Sequence, residues 1–242
     1  MEKQKHIGYR LAKWSFSLII SILITSIFAG CSSPPIQESI DTQDTNPAYT
    51  SVDMKEIEKY LECSFSRCSA MSNIGVVFVK NNNDIVVNNL DINIVYYDST
   101  GNIIKAESSR FDNILPEHEY AMLLRIGNEE FDHVELSINS VSPGFNSGGY
   151  NLEYKDGMTL DDYVNIDANN NKTTVNVKYT NVNEQDINFL QTTCVYYKKG
   201  EIIGADYDAF EIDKEKSVVK SFNETSTPCL FDEYKVYVSQ IF

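Results

Sequence analysis

The strongest constraint on this chain is a unit written twice, about one hundred residues apart. Val95-Tyr96-Tyr97-Asp98-Ser99-Thr100-Gly101-Asn102-Ile103-Ile104 returns as Val195-Tyr196-Tyr197-Lys198-Lys199-Gly200-Glu201-Ile202-Ile203. Upstream, residues 75–97 align with 175–197 without a gap, and Asn81, Asn83, Asn88 and Leu90 recur as Asn181, Asn183, Asn188 and Leu190. The turn is one residue shorter in the second copy, so Gly101, Ile103, Ile104, Ala106 and Phe111 match Gly200, Ile202, Ile203, Ala205 and Phe210. Phe131-Asp132 then matches Phe231-Asp232. A 242-residue chain with such a repeat divides into two small domains, each large enough to bury a core.

Comparing the copies separates inside from outside, because a buried face must stay apolar while an exposed one can drift. Val77 and Val79 pair with Val177 and Tyr179, whereas Val76, Phe78 and Lys80 stand opposite Asn176, Lys178 and Thr180. The first set is assigned to the core. Leu90, Ile92, Ile94 and Tyr96 match Leu190, Thr192, Cys194 and Tyr196, which leaves Asp91, Asn93, Val95 and Tyr97 on the other face. Val134, Leu136 and Ile138 match Tyr234, Val236 and Val238. Each strand has the period of two of a half-buried antiparallel strand, and no long helical pattern interrupts them. Tyr60 to Cys63 reads as an opening strand matching Tyr163 to Ile166, after a short helical stretch with Asp53 as its N-cap.

The beginning of the chain is of a different kind. Lys3, Lys5, Arg10 and Lys13 precede an apolar run from Phe16 to Phe28 that is short for a membrane span, followed by Ala29-Gly30, the three parts of a secretory signal. Phe28-Ala29-Gly30-Cys31 resembles the lipobox of bacterial lipoproteins, with Phe where Leu is usual. The resemblance implies cleavage before Cys31, a diacylglycerol thioether on it and further acylation of the palmitate kind, hence lasting attachment to a membrane. Ser32 to Ser51 is polar, proline-bearing and aperiodic, a tether with a root-mean-square reach of about 25 Å.

Loss of residues 1–30 removes four of 20 basic and one of 35 acidic side chains, leaving 16 against 34, a net charge of -18. A field of that sign repels nucleic acid and anionic membrane surface.

Within the repeat, Ile94-Val95-Tyr96-Tyr97-Asp98, Gly101, Ile103-Ile104 and Leu115-Pro116-Glu117 resemble the FxLYD-type Ig-like domains found outside bacterial and archaeal membranes. The second copy keeps Tyr196-Tyr197, Gly200 and Ile202-Ile203 but has Lys198 in place of Asp98. The resemblance implies a fold and brings no catalytic residues with it. The expected architecture is all-β. A lipoprotein signal peptide (1–30), lipidated cysteine and tether (31–52), first Ig-like antiparallel β-sandwich (53–142), linker (143–156) and second sandwich (157–242) follow in order. The linker carries Pro143, Gly144, Gly148 and Gly149, and its Phe145, Tyr150 and Tyr154 suggest that it packs on something.

Few residues suggest chemistry. His118 and His133 have no histidine at the matching place in the other copy and read as surface residues rather than zinc ligands or acid-base groups. Asp167 to Asn171 begins like an EF-hand loop, but Lys172 and Lys178 stand where the turn glycine and closing glutamate belong, so it reads as a turn. Asp206 with Asp208, and Glu129-Glu130 with Asp132, read as solvated acidic edges. No metal, cofactor or catalytic residue is expected.

Four cysteines follow Cys31. Pairing of Cys63 with Cys68 and of Cys194 with Cys229 is one reading, and buried free thiols the other. Tyr97, Tyr197, Tyr207 and Tyr237 are placed on outward faces, where they could hold a sugar ring or a partner's side chains. The expectation is an extracytoplasmic, lipid-anchored protein of the cell membrane, or of an outer membrane, whose sandwiches bind an envelope protein or act as a spacer. Binding of a glycan or the cell wall through the tyrosines is the alternative, and an enzyme the least favoured reading.

Overall fold

The computed structural model describes residues 54–127, 129–223 and 230–242. The signal peptide, Cys31, the tether and the expected N-cap Asp53 lie outside them. The fold is all-β: among the described residues, beyond one short helix, α1 (Met54–Glu58), and a 3-10 turn at Leu160–Asp162, every regular element is an antiparallel strand.

The first copy supplies β1 (Leu61–Arg67), β2 (Ile74–Asn81), β3 (Val87–Tyr97), β4 (Ile103–Phe111), β5 (Glu119–Arg125) and β6 (His133–Pro143). The second repeats them as β7 (Val164–Asn170), β8 (Thr174–Asn181), β9 (Ile187–Lys198), β10 (Glu201–Ile212), β11 (Ser217–Asn223) and β12 (Glu233–Ile241). Pairing is the same in both. Sheets β1-β2-β5 and β4-β3-β6 form the first sandwich, and β7-β8-β11 and β10-β9-β12 the second. This is the Ig-like arrangement with six strands.

The inward faces are those that the period of two selects. Val77, Val79, Leu90, Ile92, Ile94 and Tyr96 are buried in the first copy, and Val177, Tyr179, Leu190, Thr192, Cys194 and Tyr196 in the second. Phe65 of β1 meets Tyr96 of β3 edge-on, ring centroids 5.9 Å apart, and Tyr179 of β8 bonds Thr192 of β9 at 2.8 Å, so both layers share each core. The recurrent asparagines act here as well. Asn81 donates to the carbonyls of Ile85 and Ile114 at 2.9 and 3.0 Å, and Asn181 donates to those of Gln185 and Ile212 at 2.8 and 3.0 Å. Each ties the loop between the second and third strands to the chain at or just beyond the end of the fourth.

The turn that differs between copies has a backbone reason. In the second copy Lys199 and Gly200 both have positive φ, 53° and 83°, the two-residue reversal that suits the twist of a hairpin. In the first copy the loop is longer and Asp98 closes it. Its carboxylate accepts from the amides of Thr100 and Asn102, each at 2.9 Å, and from the Asn102 side chain at 3.0 Å. These hydrogen bonds hold the Asp98 carboxyl well below the usual carboxylate range.

The outer faces hold the main departure from expectation. Val76 and Phe78, assigned to the non-core side, are 0% and 7% exposed. They belong to a second cluster with Cys68, Met71, Ile74, Ala121, Val195, Ala205 and Tyr237, in which the outer face of β1-β2-β5 lies against that of β10-β9-β12. Phe78 meets Tyr237 at 5.5 Å between ring centroids, Ser239 donates to the Ala121 carbonyl at 2.5 Å, and Lys235 pairs with Glu119 at 2.8 Å. The amides of Ser69 and Ala70 donate to the carbonyls of Ile202 and Ile203 at 2.9 and 3.1 Å. The two sandwiches therefore form one compact unit of four stacked sheets. Among the described residues, Asn176, Lys178 and Thr180, on the corresponding face of β8, belong to no such contact, and that face is polar.

The segment after β6 packs too. Phe145 stacks on Tyr154 and Tyr163 at 6.1 and 6.2 Å, Leu152 is 1% exposed, and Asn113 donates to the carbonyls of Asn146 and Ile241 at 2.7 and 2.8 Å.

Candidate functional site

The four tyrosines expected on outward faces meet four different fates. Tyr207, on β10, is 46% exposed. Tyr97 is half-buried, lies parallel to the His133 ring at 4.9 Å and donates its hydroxyl to Glu135 at 3.0 Å. Tyr197 is half-buried and shares a 3.0 Å hydrogen bond with the Tyr237 hydroxyl. Tyr237 itself is 5% exposed, which corrects its outward assignment. It does face away from the core of its own sandwich, but the other copy covers it. The structure does not gather the four into one site.

The expected pairing of Cys63 with Cys68 is also corrected. Cys63 carries a free thiol and packs toward the first core, whereas Cys68 lies in the cluster between copies. The interval between them is a single extended strand, not a hairpin. Five residues of strand span about 16 Å, far beyond the roughly 7 Å limit of a disulfide, and an odd offset turns the side chains to opposite faces. Cys194 is a free, buried thiol, and Cys229 lies outside the described residues. Burial pushes the Cys63 thiol up to about 11 and the Cys194 thiol up to about 12, which holds both in the unreactive neutral form.

The histidines differ as well. His133 is exposed, with Nδ1 3.2 Å from Asp132. His118 is not a plain surface residue: it is half-buried between the copies and its Nε2 accepts the Leu160 amide at 3.3 Å. Burial pulls its pKa below the ordinary value, against the opposing pull of Asp161. Residues 167–170 belong to β7, and Asn171 forms the turn to β8 by accepting the amides of Thr173 and Thr174 at 3.2 and 2.9 Å. Asp208 pairs with Lys220 at 3.0 Å. Among the described residues, no three His, Cys, Asp or Glu side chains gather as a metal would require.

One hollow was not singled out in the sequence. A cleft of about 600 Å³ opens between the turn at Ser147–Tyr150 and the loop joining β8 to β9. Gly148 and Gly149 have φ of 63° and 85°, a conformation glycine adopts without strain, and the turn they make holds Tyr150 at 48% exposure. Asn151, Glu153, Glu184, Gln185, Asp186 and Lys214 supply polar walls. Gln185 accepts the Glu153 amide at 3.0 Å and Asp186 the Lys214 amide at 2.6 Å, so the loops that make the cleft brace one another. A second hollow of about 340 Å³ shares Glu153, Glu184 and Gln185. The glycine pair and Tyr150 were the available signals; the opposite wall comes from loops more than thirty residues away.

No family model matches the chain, and no curated protein matches it. Among solved structures, a red sea bream transglutaminase aligns at 12% identity and a TM-score of 0.21, over 80% of this chain and 34% of that one. The chain thus spans about a third of that protein's length. An allantoicase aligns at 12% identity and a TM-score of 0.15, over 74% of this chain and 80% of that one. Superpositions this loose establish no kinship of fold, and nothing is transferred from either protein.

Proposed function

We propose that this chain is a lipid-anchored protein of the bacterial cell envelope, and that its fused pair of β-sandwiches binds a partner protein there. The observation that carries the reading is the fusion itself. An apolar contact between the copies holds two outer sheet faces and several edge strands in fixed relation, as recognition requires and a string of independent spacers does not. The signal-like N-terminus and the lipobox-like Cys31 support the anchor, and the polar tether would lift the pair clear of lipid head groups. The likeness to FxLYD-type domains points to the same side of the membrane.

Membrane fractionation of cells producing Cys31→Ala tests the anchor. Release of the protein from the membrane is expected, and its retention there defeats the lipid claim. Short-range chemical cross-linking on intact cells tests binding: reproducible adducts with one envelope protein are expected, and their absence counts against the reading.

A glycan ligand is the second reading, and the polar cleft beside Tyr150 favours it over the tyrosines on the strands. An exposed aromatic ring flanked by amides and carboxylates is the chemistry that holds a sugar ring. Retention on cell-wall polysaccharide that is lost in Tyr150→Ala would support it.

A further inference from the structure

The interface between the copies shows what one corner of the second sandwich does, and the first sandwich carries the same corner uncovered. In the second copy Val195, Tyr197, Ile202 and Ala205 form one side of the contact that receives Cys68, Met71, Ile74, Val76 and Phe78, and beside them the Ile203 carbonyl accepts the Ala70 amide. Val195, Ile203 and Ala205 are at most 5% exposed. The same five residue types stand in the first copy as Val95, Tyr97, Ile103, Ile104 and Ala106. There Ile103 is 64% exposed and Ile104 38%, and Ala106 is open as well. The backbone is repeated with the side chains. A bulge displaces the register at Ile202–Gly204 in β10 and at the matching Ile103–Lys105 in β4, and in β10 it is beside this bulge that the carbonyls accept the two amides of the other copy. Exposed isoleucines on an edge strand carry a risk of unwanted association, and here they reproduce a surface whose use within the molecule is known.

Resting on the reading as a binding protein, we propose that the corner of Val95, Tyr97, Ile103, Ile104 and Ala106 docks a β-sandwich domain of another envelope protein. That domain would meet it as the first copy meets the second. Its sheet face carries small apolar side chains, and an edge turn offers two backbone amides to β4. A second copy of this chain does not fit. Its own Val76–Phe78 face is already covered, and the equivalent face of its second sandwich carries Asn176, Lys178 and Thr180. The corner also differs from its model in one direction: Glu135 replaces Lys235, the partner of Glu119, and Ser137 replaces Tyr237. The partner therefore presents a cation where the first copy has Glu119, and a large side chain to fill the place of Tyr237.

A photo-reactive benzoylphenylalanine placed in the full chain at Ile103 tests this in intact cells, with Val219, equally exposed at 64%, and Tyr150 as comparison positions. The expected result is an adduct at Ile103 with one protein, mapped by mass spectrometry to a sheet face of a β-sandwich. It should fall at least about tenfold when Ala106→Arg is added. An adduct that ignores Ala106→Arg, forms equally at Val219, or joins two copies of this chain overturns the proposal. Adducts at Val219 or Tyr150 with none at Ile103 overturn it while leaving the binding reading intact, and none at any position sinks both. Each substitution sits on an exposed side chain, and a melting temperature matching the parent chain's confirms the fold.

Discussion

Asn81 and Asn181 show at the residue scale how an identity shared by two copies can be structural. Both are buried, at 0% and 1% exposure, and each donates to one backbone carbonyl in the loop after the second strand and to another at or just beyond the end of the fourth. Replacing either by Ala removes at least two side-chain hydrogen bonds from a buried site and is expected to cost about 2–3 kcal/mol in urea unfolding. Half-buried Asn82, whose side chain makes an exposed bond to Glu62, is the contrasting case and should cost far less. The cysteines carry a second expectation. Cys63 and Cys194 should resist a thiol reagent in the folded protein at pH 8 and react promptly in denaturant, because their raised pKa values leave little thiolate. Rapid labelling of Cys194 in the native state would show that the second core opens.

Among the elements, the hairpin between the third and fourth strands shows how one motif is built twice by different means. A Lys-Gly reversal makes it in the second copy, and a carboxylate-closed loop in the first. The changed residues, Asp98 against Lys198, are therefore explained by turn geometry rather than by a ligand. His118, in the loop entering β5, links to the turn before β7 and gives a pH dependence. Unfolded, it titrates near about 6.5, and in the folded protein its pKa is lower. As pH falls the unfolded chain therefore takes up the proton first. Its contribution is complete above about pH 6.5 and is lost as pH drops through the folded value. His118→Gln keeps an acceptor for the Leu160 amide without titrating. The melting temperature of this variant should fall less than that of the parent between pH 7.5 and 5.5, and equal falls would remove the linkage.

Considered whole, the molecule is a head-to-tail stack of two that stops. The contact between copies uses opposite faces of the repeat, an arrangement that could in principle continue, but the face it leaves free on the second copy is polar. Apolar clusters run through both copies, so thermal unfolding by calorimetry should show one transition. Phe78→Asp buries a charge against Tyr237 and should lower stability by at least about 3 kcal/mol or split the transition in two. A wild-type chain that already melts in two steps would mean that the contact is weak.

The amino-acid sequence alone carries the strand pattern, the correspondence between the two copies and the inward face of nearly every strand. A sandwich core forces a period of two on the residues that line it. It also carried the asymmetry between Val76 and Phe78 in one copy and Asn176 and Lys178 in the other. Read as an unbroken apolar run, Val76-Val77-Phe78-Val79 is the signature of a strand covered on both sides. Periodicity reports that a face is apolar, not what covers it. It takes the folded molecule to show that the covering body is the second copy, that the first copy in turn buries Tyr237, and that Cys63 and Cys68 are held apart along one strand. Those outcomes depend on contacts between residues more than a hundred positions apart, and on where a chain continues straight instead of turning.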